Sequence, residues 1–335
     1  MRKYNVLCLT EHAKHSKENS LYAISASMAG HPLCEELVIA SRSNESNHEF
    51  FQGLDFDKLH VSLIDDQFDF QNGNDSLSHP DKEISPADYD IIFLRLPRPT
   101  SDEFLEALEN NFQTACFVNS PSGIIKCSNK AALVNFEDVC PPMKLCNSIE
   151  DIIEFSKHHD LVLKPLREYG GKGIIRIKNN ILNDGKQDYP IAEYLKKIEP
   201  AIINEGFLAM KYLENVSQGD KRLIVIGGEV LAASLRLPAE ESWLCNVALG
   251  GKSVESEVDE DELKIINSIN PFLEKNGILI YGADTLVDDN GKRTLSEVNA
   301  LSIGGFPQAE KQTGKPIIKI TLDKIFSYAD VHYQQ

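Results

Sequence analysis

An α/β fold, opened by a parallel sheet and continued by mixed α+β lobes, is the class this sequence predicts. Three observations carry that prediction. The chain opens as strand, loop, helix, strand, a succession that makes a parallel βαβ unit. Near residue 120 the texture changes, and strands meet across short glycine-containing turns, the signature of antiparallel hairpins. At 335 residues and 42% hydrophobic composition, the chain is long enough to bury cores in two or three lobes. The expected divisions are an N-terminal α/β domain over 1–120, a small lobe with a glycine-rich hairpin over 121–203, and a C-terminal lobe over 204–335.

Taken in order, "YNVLCL" reads as a buried strand. "NSLYAISASMAG" has helical apolar spacing and a terminal glycine, which predicts a helix ending at Gly30. "ELVIAS" is the next strand, and a long polar segment from Asp65 to Asp88 interrupts the pattern. The strand "YDIIFLRL", the helix "DEFLEALENNF" and the segment "ACFVNSPSGI" then complete the first lobe. The middle region reads as the helix "CSNKAALVNFEDV", the segment "PPMKL", the helix "SIEDIIEFSKHHD", the strand "LVLKPL", a glycine loop, and the return strand "IIRIK". In the last region "GFLAMKYL", "DKRLIVIGGEVLAASLRL", "ILIYGADTLV" and "RTLSEVNAL" supply strands, with the helix "DEDELKIINSINPFLEKNG" among them. "VIGGEV" and "VDDNGKR" are the turns.

Charge and composition exclude several classes of function. A formal net charge of −17 leaves no basic surplus to displace counterions from a polyanion, so nucleic acid and anionic membrane surfaces are not expected partners. The apolar stretches fall short of the roughly 18 residues that a membrane span requires. The first residues look like a strand rather than a cleaved leader. Seven cysteines with no C-x-x-C pair point to reduced thiols in a cytoplasm. His158 and His159 are neighbours with no metal-ligand spacing, so a zinc site is not expected.

The stretch "VLKPLREYGGKGI" places Lys164 beside Gly170, Gly171 and Gly173. A Walker-type phosphate loop needs G-x-x-x-x-G-K-[ST] leading into a helix, and neither condition is met. A dinucleotide fingerprint fails on spacing and on the β-branched residues that follow. What remains is a hairpin tip whose backbone N–H groups can approach phosphates. Further on, Asp284 ends one expected strand, while Glu297 and Asn299 lie two apart on the next and share a face. Two carboxylates and an amide oxygen make a hard, oxygen-only ligand set suited to Mg²⁺, or to Mn²⁺ in its place. Either carboxylate taken alone would read equally well as a turn cap or a solvated side chain.

The order of "LKP" with its glycine hairpin, "FLAMKYLE", "GDKRLIVIGGEVLAASLRLP", and the pair "YGADTLV" and "LSEVNALS" resembles the ATP-grasp ligases. The closest resemblance is to bacterial glutathione synthetases, and it covers most of the chain. The resemblance implies an ATP-grasp fold with an N-terminal pre-ATP-grasp domain, and an ATP-dependent carboxylate–amine ligase. It implies that Lys130 and Lys164 neutralise α- and β-phosphates and that the three glycines cover the triphosphate. It places adenine against the backbone of Met210, Lys211, Tyr212 and Leu213, and the ribose at Asp220. Arg222 and Arg236 would face the transferred phosphoryl group, a task suited to the planar, permanently charged guanidinium. Asp284, Glu297 and Asn299 would hold the metal. Asn246, Gly250, Gly251 and Lys252 would belong to a lid that shields an acyl phosphate from water. Lys17, Asn19, Ser20, Arg95 and Ser302 match substrate-side positions. Small amino-acid or peptide substrates and a homo-oligomer are also implied.

The departures from that family fall on the substrate side. Glutathione synthetases carry an arginine where Leu244 stands and another where Lys252 stands. A threonine-serine-proline run after their "EVN" is here "ALSIGG", and "LPRP" after Arg95 lacks a charged pair. A ligase of the same fold acting on another amino acid or peptide, such as a glutamate-ligase type, is therefore the alternative enzyme. A non-catalytic ATP-binding module and a nicotinamide dehydrogenase are the readings from other classes.

Overall fold

The computed structural model describes residues 2–168, 171–238 and 252–334, and among them the strands form three sheets. The first sheet comprises β1 (Tyr4–Thr10), β2 (Cys34–Ser41), β3 (Leu59–Leu63), β4 (Lys82–Ile84), β5 (Ile91–Arg95) and β6 (Cys116–Val118) in the order β4-β3-β2-β1-β5-β6. The β2-β1-β5-β6 part is parallel, as the opening βαβ pattern requires. Its helices are α1 (Ser20–Ala29), α2 (His48–Phe51), α3 (Phe70–Ser78), α4 (Asp102–Asn111) and α5 (Pro121–Cys127). α1 ends at Gly30 as expected, and the Asn19 side chain caps its start by accepting from Leu21 N.

The polar segment from Asp65 to Asp88 is not a simple interruption. It contains α3 and β4, and β4 pairs antiparallel with β3 at the sheet edge. An edge strand three residues long and a helix whose large apolar residues are only Phe70 and Leu77 offer too little apolar sequence to be recognised by periodicity.

The second sheet is antiparallel, with order β11-β10-β9-β8-β12-β7. It contains β7 (Met143–Cys146), β8 (Leu161–Pro165), β9 (Ile175–Lys178), β10 (Ile181–Asn183), β11 (Asp188–Pro190) and β12 (Phe207–Lys211), backed by α6 (Ile149–Ser156) and α7 (Ile191–Glu205). β8 and β9 pair as the predicted hairpin. β12 lies beyond residue 203 in sequence, yet it is hydrogen-bonded between β8 and β7. Its alternation explains this placement: Phe207 and Ala209 fill the core beneath the second sheet, while Leu208 and Met210 face the other way.

The third sheet, β15-β14-β13-β16-β17, is also antiparallel. It comprises β13 (Asp220–Ile226), β14 (Glu229–Leu237), β15 (Lys252–Glu255), β16 (Ile280–Val287) and β17 (Arg293–Asn299), with α8 (Glu260–Lys275), α9 (Phe306–Thr313) and α10 (Ile317–His332). Leu223, Val225, Tyr281 and Ala283 bury one face of this sheet against Ile265 and Ile269 of α8. Each buried leucine, valine or isoleucine among them contributes roughly 1.5–3 kcal/mol. The first and third sheets are joined at Asn119, whose amide makes four hydrogen bonds. It donates to the carbonyls of Ile280 and Ala300 and accepts from the N–H groups of Leu279 and Ile280, all at 2.7–2.9 Å.

Candidate active site

A cleft lies between the second and third sheets. Strand alternation sets its walls. On β8, Leu161 and Leu163 point into the core, so Val162 and Lys164 face the cleft, opposite Met210 and Leu208 of β12. On β13, Asp220 and Arg222 share the cleft face, and on β16 Asp284 and Leu286 share it. Arg222 pairs with Asp284 and Asp284 pairs with Glu297, which makes a charged row across three strands; Asp220 pairs with Arg236 in the next row. Asp284 does not end its strand, as the sequence suggested, but sits within β16, which continues to Val287. Asp284 is thereby 4% exposed and held on both sides.

Gly282 explains how Arg222 reaches this row. A Cβ at that position would lie 3.0 Å from Arg222 Cδ and 3.3 Å from its Nε, so the missing side chain is the space the arginine occupies.

The charges are tightly matched. Arg222 Nη2 donates to Asp284 Oδ2 at 2.6 Å, and Arg222 Nε is bonded to Asp284 Oδ1. Arg236 Nη2 lies 2.9 Å from Asp284 Oδ2 and donates to Asp220 Oδ2 at 2.5 Å. Burial alone would raise the Asp284 carboxyl; the two guanidiniums overcome it and hold the group at about 2. Burial, reinforced by the Asp284 charge, pushes Asp220 up to about 7. Burial also opposes the charge on each arginine, but the neighbouring carboxylates outweigh it and raise both. Burial lowers Lys164, against the pull of Glu297.

Lys164 Nζ donates to the Ser296 hydroxyl at 3.0 Å and to the Ser296 carbonyl at 3.1 Å. Ser296 is a residue that sequence reading missed. The register slips there, with Asp284 opposite Glu297 and Thr285 opposite Leu295, so Ser296 is the extra residue of a β-bulge. Strict alternation would have hidden it. Val162, Ile174, Val216 and Leu286, the apolar wall, were missed for a simpler reason: they read as ordinary core residues.

The metal candidates fit a hard cation by donor chemistry. Asp284 and Glu297 face each other across β16 and β17, and Asn299 lies two residues beyond Glu297 on the same strand. In the amide orientation that satisfies both ends, the Asn299 nitrogen donates to Glu297 Oε1 at 3.2 Å and its oxygen accepts from Arg222 Nη2 at 3.1 Å. The arginines thus engage the oxygens of Asp284 and Asn299 and leave the Glu297 carboxylate to the cleft. Among the described residues no group of three or more histidine, cysteine or acidic side chains is arranged as a metal centre.

Of the other expected site residues, Gly171, Met210, Lys211, Tyr212 and Leu213 line the cleft. Gly171 and Gly173 adopt φ of 78° and 67°, the left-handed region that glycine tolerates, while Gly170 lies outside the described residues. Gly173 is not part of the lining; a Cβ there would meet Pro165 Cγ at 3.0 Å. Lys130 is buried, not a solvated surface lysine, and donates to the Glu168 carbonyl at the hairpin base. Lys211 is ion-paired to Asp289 at 2.7 Å, and Tyr212 lies under the cationic heads of Arg176 and Lys178. Asn246, Gly250, Gly251 and Leu244 lie outside the described residues, and Lys252 is described only as the backbone that opens β15.

The substrate-side candidates lie apart from the cleft lining, around the C-terminal ends of β1 and β5. Arg95 is 5% exposed, burial lowers it to about 10, and its Nε has no partner among the described residues. Ser302 Oγ donates to the Arg95 carbonyl at 3.1 Å. Ser20 Oγ accepts from the N–H groups of Gly305 and Phe306 and so caps α9 from a neighbouring element. Asn19 is taken up by the α1 cap, and Lys17 is exposed.

The sequence model described as the prokaryotic glutathione synthetase ATP-grasp domain matches residues 129–314, more than half of the chain. The chain belongs to the prokaryotic glutathione synthetase family. Among its relatives, the glutathione synthetase of Neisseria meningitidis serogroup A is 30% identical over 72% of this chain and 74% of its own. That of Bradyrhizobium diazoefficiens is 27% identical over 75% and 76%. The solved structure of D-alanine–D-alanine ligase from Coxiella burnetii superposes with a TM-score of 0.62 at 11% identity, covering 100% of this chain and 96% of that one. D-cycloserine synthetase superposes with a TM-score of 0.60 at 11% identity, covering 98% and 99%. These two likenesses carry the ATP-grasp fold alone. Family and fold together bear out the sequence reading of an ATP-grasp, amide-forming ligase for this glutathione synthetase family member. No described helix is long and apolar enough to cross a membrane.

Proposed function

We propose that the chain is a glutathione synthetase, converting γ-glutamylcysteine, glycine and ATP to glutathione, ADP and phosphate, in the cytoplasm and as a homo-oligomer. The observation that carries the reading is the Arg222–Asp284–Glu297 row, flanked by Arg236 and Lys164, at one end of a cleft whose other end is apolar. An apolar wall beside a cluster of cations suits a nucleobase joined to a triphosphate. Asp220 Oδ1 and Arg236 Nε are buried without hydrogen-bond partners among the described residues, and both residues line this cleft. A polar ligand in the cleft would satisfy them.

In this reading the adenine lies against Val162, Met210, Leu213 and Leu286, and Asp220 meets the ribose. Lys164 and Lys130 offset the α- and β-phosphate charge, with Gly171 and Gly173 forming part of the cover. Arg222 and Arg236 stabilise charge on the transferred phosphoryl group, and the rate comes from positioning and electrostatics rather than a protein nucleophile. Asp284, Glu297 and Asn299 would hold Mg²⁺, which supplies further charge neutralisation at the phosphates. A carboxylate oxygen of γ-glutamylcysteine attacks the γ-phosphorus and ADP leaves. The glycine amine then attacks the acyl carbon, phosphate leaves, and the amine proton passes to solvent. Asn246 and Lys252 would belong to the segment that keeps water from the acyl phosphate.

Arg95, Lys17, Asn19, Ser20 and Ser302 are proposed for the dipeptide side. One observation there favours the second reading, a ligase of the same class with another substrate pair: the Ser20 and Ser302 hydroxyls already serve backbone groups of neighbouring segments. Mass spectrometry of products formed with ATP and Mg²⁺ decides between them. Glutathione from γ-glutamylcysteine and glycine is expected. ADP release with another acid and amine but no glutathione would replace the substrate assignment and keep the class.

A further inference from the structure

Behind the cleft, on the face of the third sheet that packs against α8, lies a buried ionic cluster. Glu262 of α8 is 0% exposed. Its Oε2 accepts from Lys221 Nζ at 2.8 Å and from the Asp259 backbone N–H at 3.0 Å. Its Oε1 accepts from Thr285 Oγ1 at 2.9 Å, and Arg293 Nε stands 3.9 Å from the same atom. Lys221, itself 4% exposed, also donates to the Glu257 carbonyl at 2.8 Å.

Each strand contact falls beside a cleft residue in the chain. Lys221 stands between Asp220 and Arg222, and Thr285 stands between Asp284 and Leu286. Alternation sends these neighbours to opposite faces, so one carboxylate grips from behind the two strands that present Arg222 and Asp284 in front. Through Asp259 N–H and the Glu257 carbonyl, the same ion pair holds the connection from β15 to α8.

Stability alone is a weak account of such a cluster. Taking two charges out of water is costly, and apolar replacements of a buried pair are often neutral or stabilising. Apolar packing, however, is non-directional, whereas a carboxylate with donors on both oxygens fixes where each donor's strand lies. A phosphoryl-transfer site needs its groups held to within about 0.5 Å. We propose that Glu262 is a positioning residue, which sets the alignment of Arg222 with Asp284 by tying β13, β16 and the β15–α8 connection at one buried point. The inference rests on the cleft being the ATP site of a ligase.

The test compares the parent protein with the double variant Lys221→Met/Glu262→Met, which removes both members of the ion pair while Arg293 keeps its bonds to the Gly219 and Thr285 carbonyls, and with Thr285→Val, which removes one contact. Melting temperature, kcat from ADP release, and ATP affinity by calorimetry are measured on each. The expected result is a melting temperature within a few degrees of the parent for the double variant, with kcat or ATP affinity about 10- to 100-fold lower, and a smaller loss in the same quantity for Thr285→Val. A double variant that folds and keeps both parental kcat and parental ATP affinity overturns the proposal. Should the double variant not fold, Thr285→Val decides alone, and parental values in it are equally fatal. If the parent releases no ADP with any acid and amine, the ligase reading fails by itself, and the calorimetric comparison still settles the role of Glu262.

Discussion

Glu297 and Asp284 stand directly opposite on neighbouring strands, yet only Asp284 is clasped by two guanidiniums. Removing the Glu297 charge therefore leaves the arginine cluster intact. Glu297→Gln is expected to abolish turnover, with the melting temperature changed by little; undiminished ADP release would remove the metal assignment. At Gly282 the effect is steric. Gly282→Ala puts a methyl group 3.0 Å from Arg222 Cδ and is expected to lower kcat about 10-fold or more while KM for ATP moves less, a split read from steady-state kinetics. Asp220 supplies a pH test. Its folded value of about 7 lies above the ordinary 3.8, so the folded state keeps a proton that the unfolded chain releases between about pH 4 and 7. This group's contribution to stability is thus present at low pH and lost as pH rises through 7. Asp220→Asn should gain melting temperature relative to the parent between pH 5 and pH 8, and a pH-independent difference would contradict the assignment. Asp284 has the opposite sign: its stabilising contribution is present above about pH 4 and is lost as pH falls toward 2.

Among the elements, the β8–β9 hairpin and the β16–β17 pair were legible for different reasons. The hairpin showed itself by an apolar strand, a glycine tip and a β-branched return, and β8 and β9 pair as that pattern requires. The β16–β17 pair was legible as two strands, but its register was not, because the bulge at Ser296 depends on which residues of β16 it faces. That bulge is what brings Ser296 to Lys164. α8 begins with a capping box in which the Asp259 side chain accepts from Glu262 N–H and the Glu262 side chain accepts from Asp259 N–H. Asp259→Ala is expected to lower stability by about 1–2 kcal/mol in denaturant titration, since it removes the cap together with a 3.6 Å ion pair to Lys221. A loss several times larger would show that the cap also supports the ion pair behind the cleft.

For the molecule as a whole, Asn119 joins the parallel sheet to the strand that carries Asp284 and to the residue after Asn299. Replacing it with alanine leaves buried backbone groups of two segments without partners. Asn119→Ala is expected to cost about 2–4 kcal/mol of stability in chemical denaturation; a loss below about 0.5 kcal/mol would mean that the two sheets are held by apolar packing alone. The sequence by itself determined the α/β class, the strands β1, β2, β5, β8, β9, β12, β13, β14, β16 and β17 in chain order, the glycine hairpin with Lys164, and the charged residues of the Asp220–Asn299 region. Those properties are local: apolar periodicity, turn chemistry and motif order are set by neighbours in the chain. Tertiary structure alone decided that β12 belongs to the second sheet, that Asp284 is shared by two arginines, and that Ser20 and Asn19 are spent on helix caps. It alone also placed a carboxylate behind the Arg222–Asp284–Glu297 row at Glu262. Each of these depends on register and on contacts between residues far apart in the chain, and a period of two or 3.6 says which face a residue occupies but not what that face will meet.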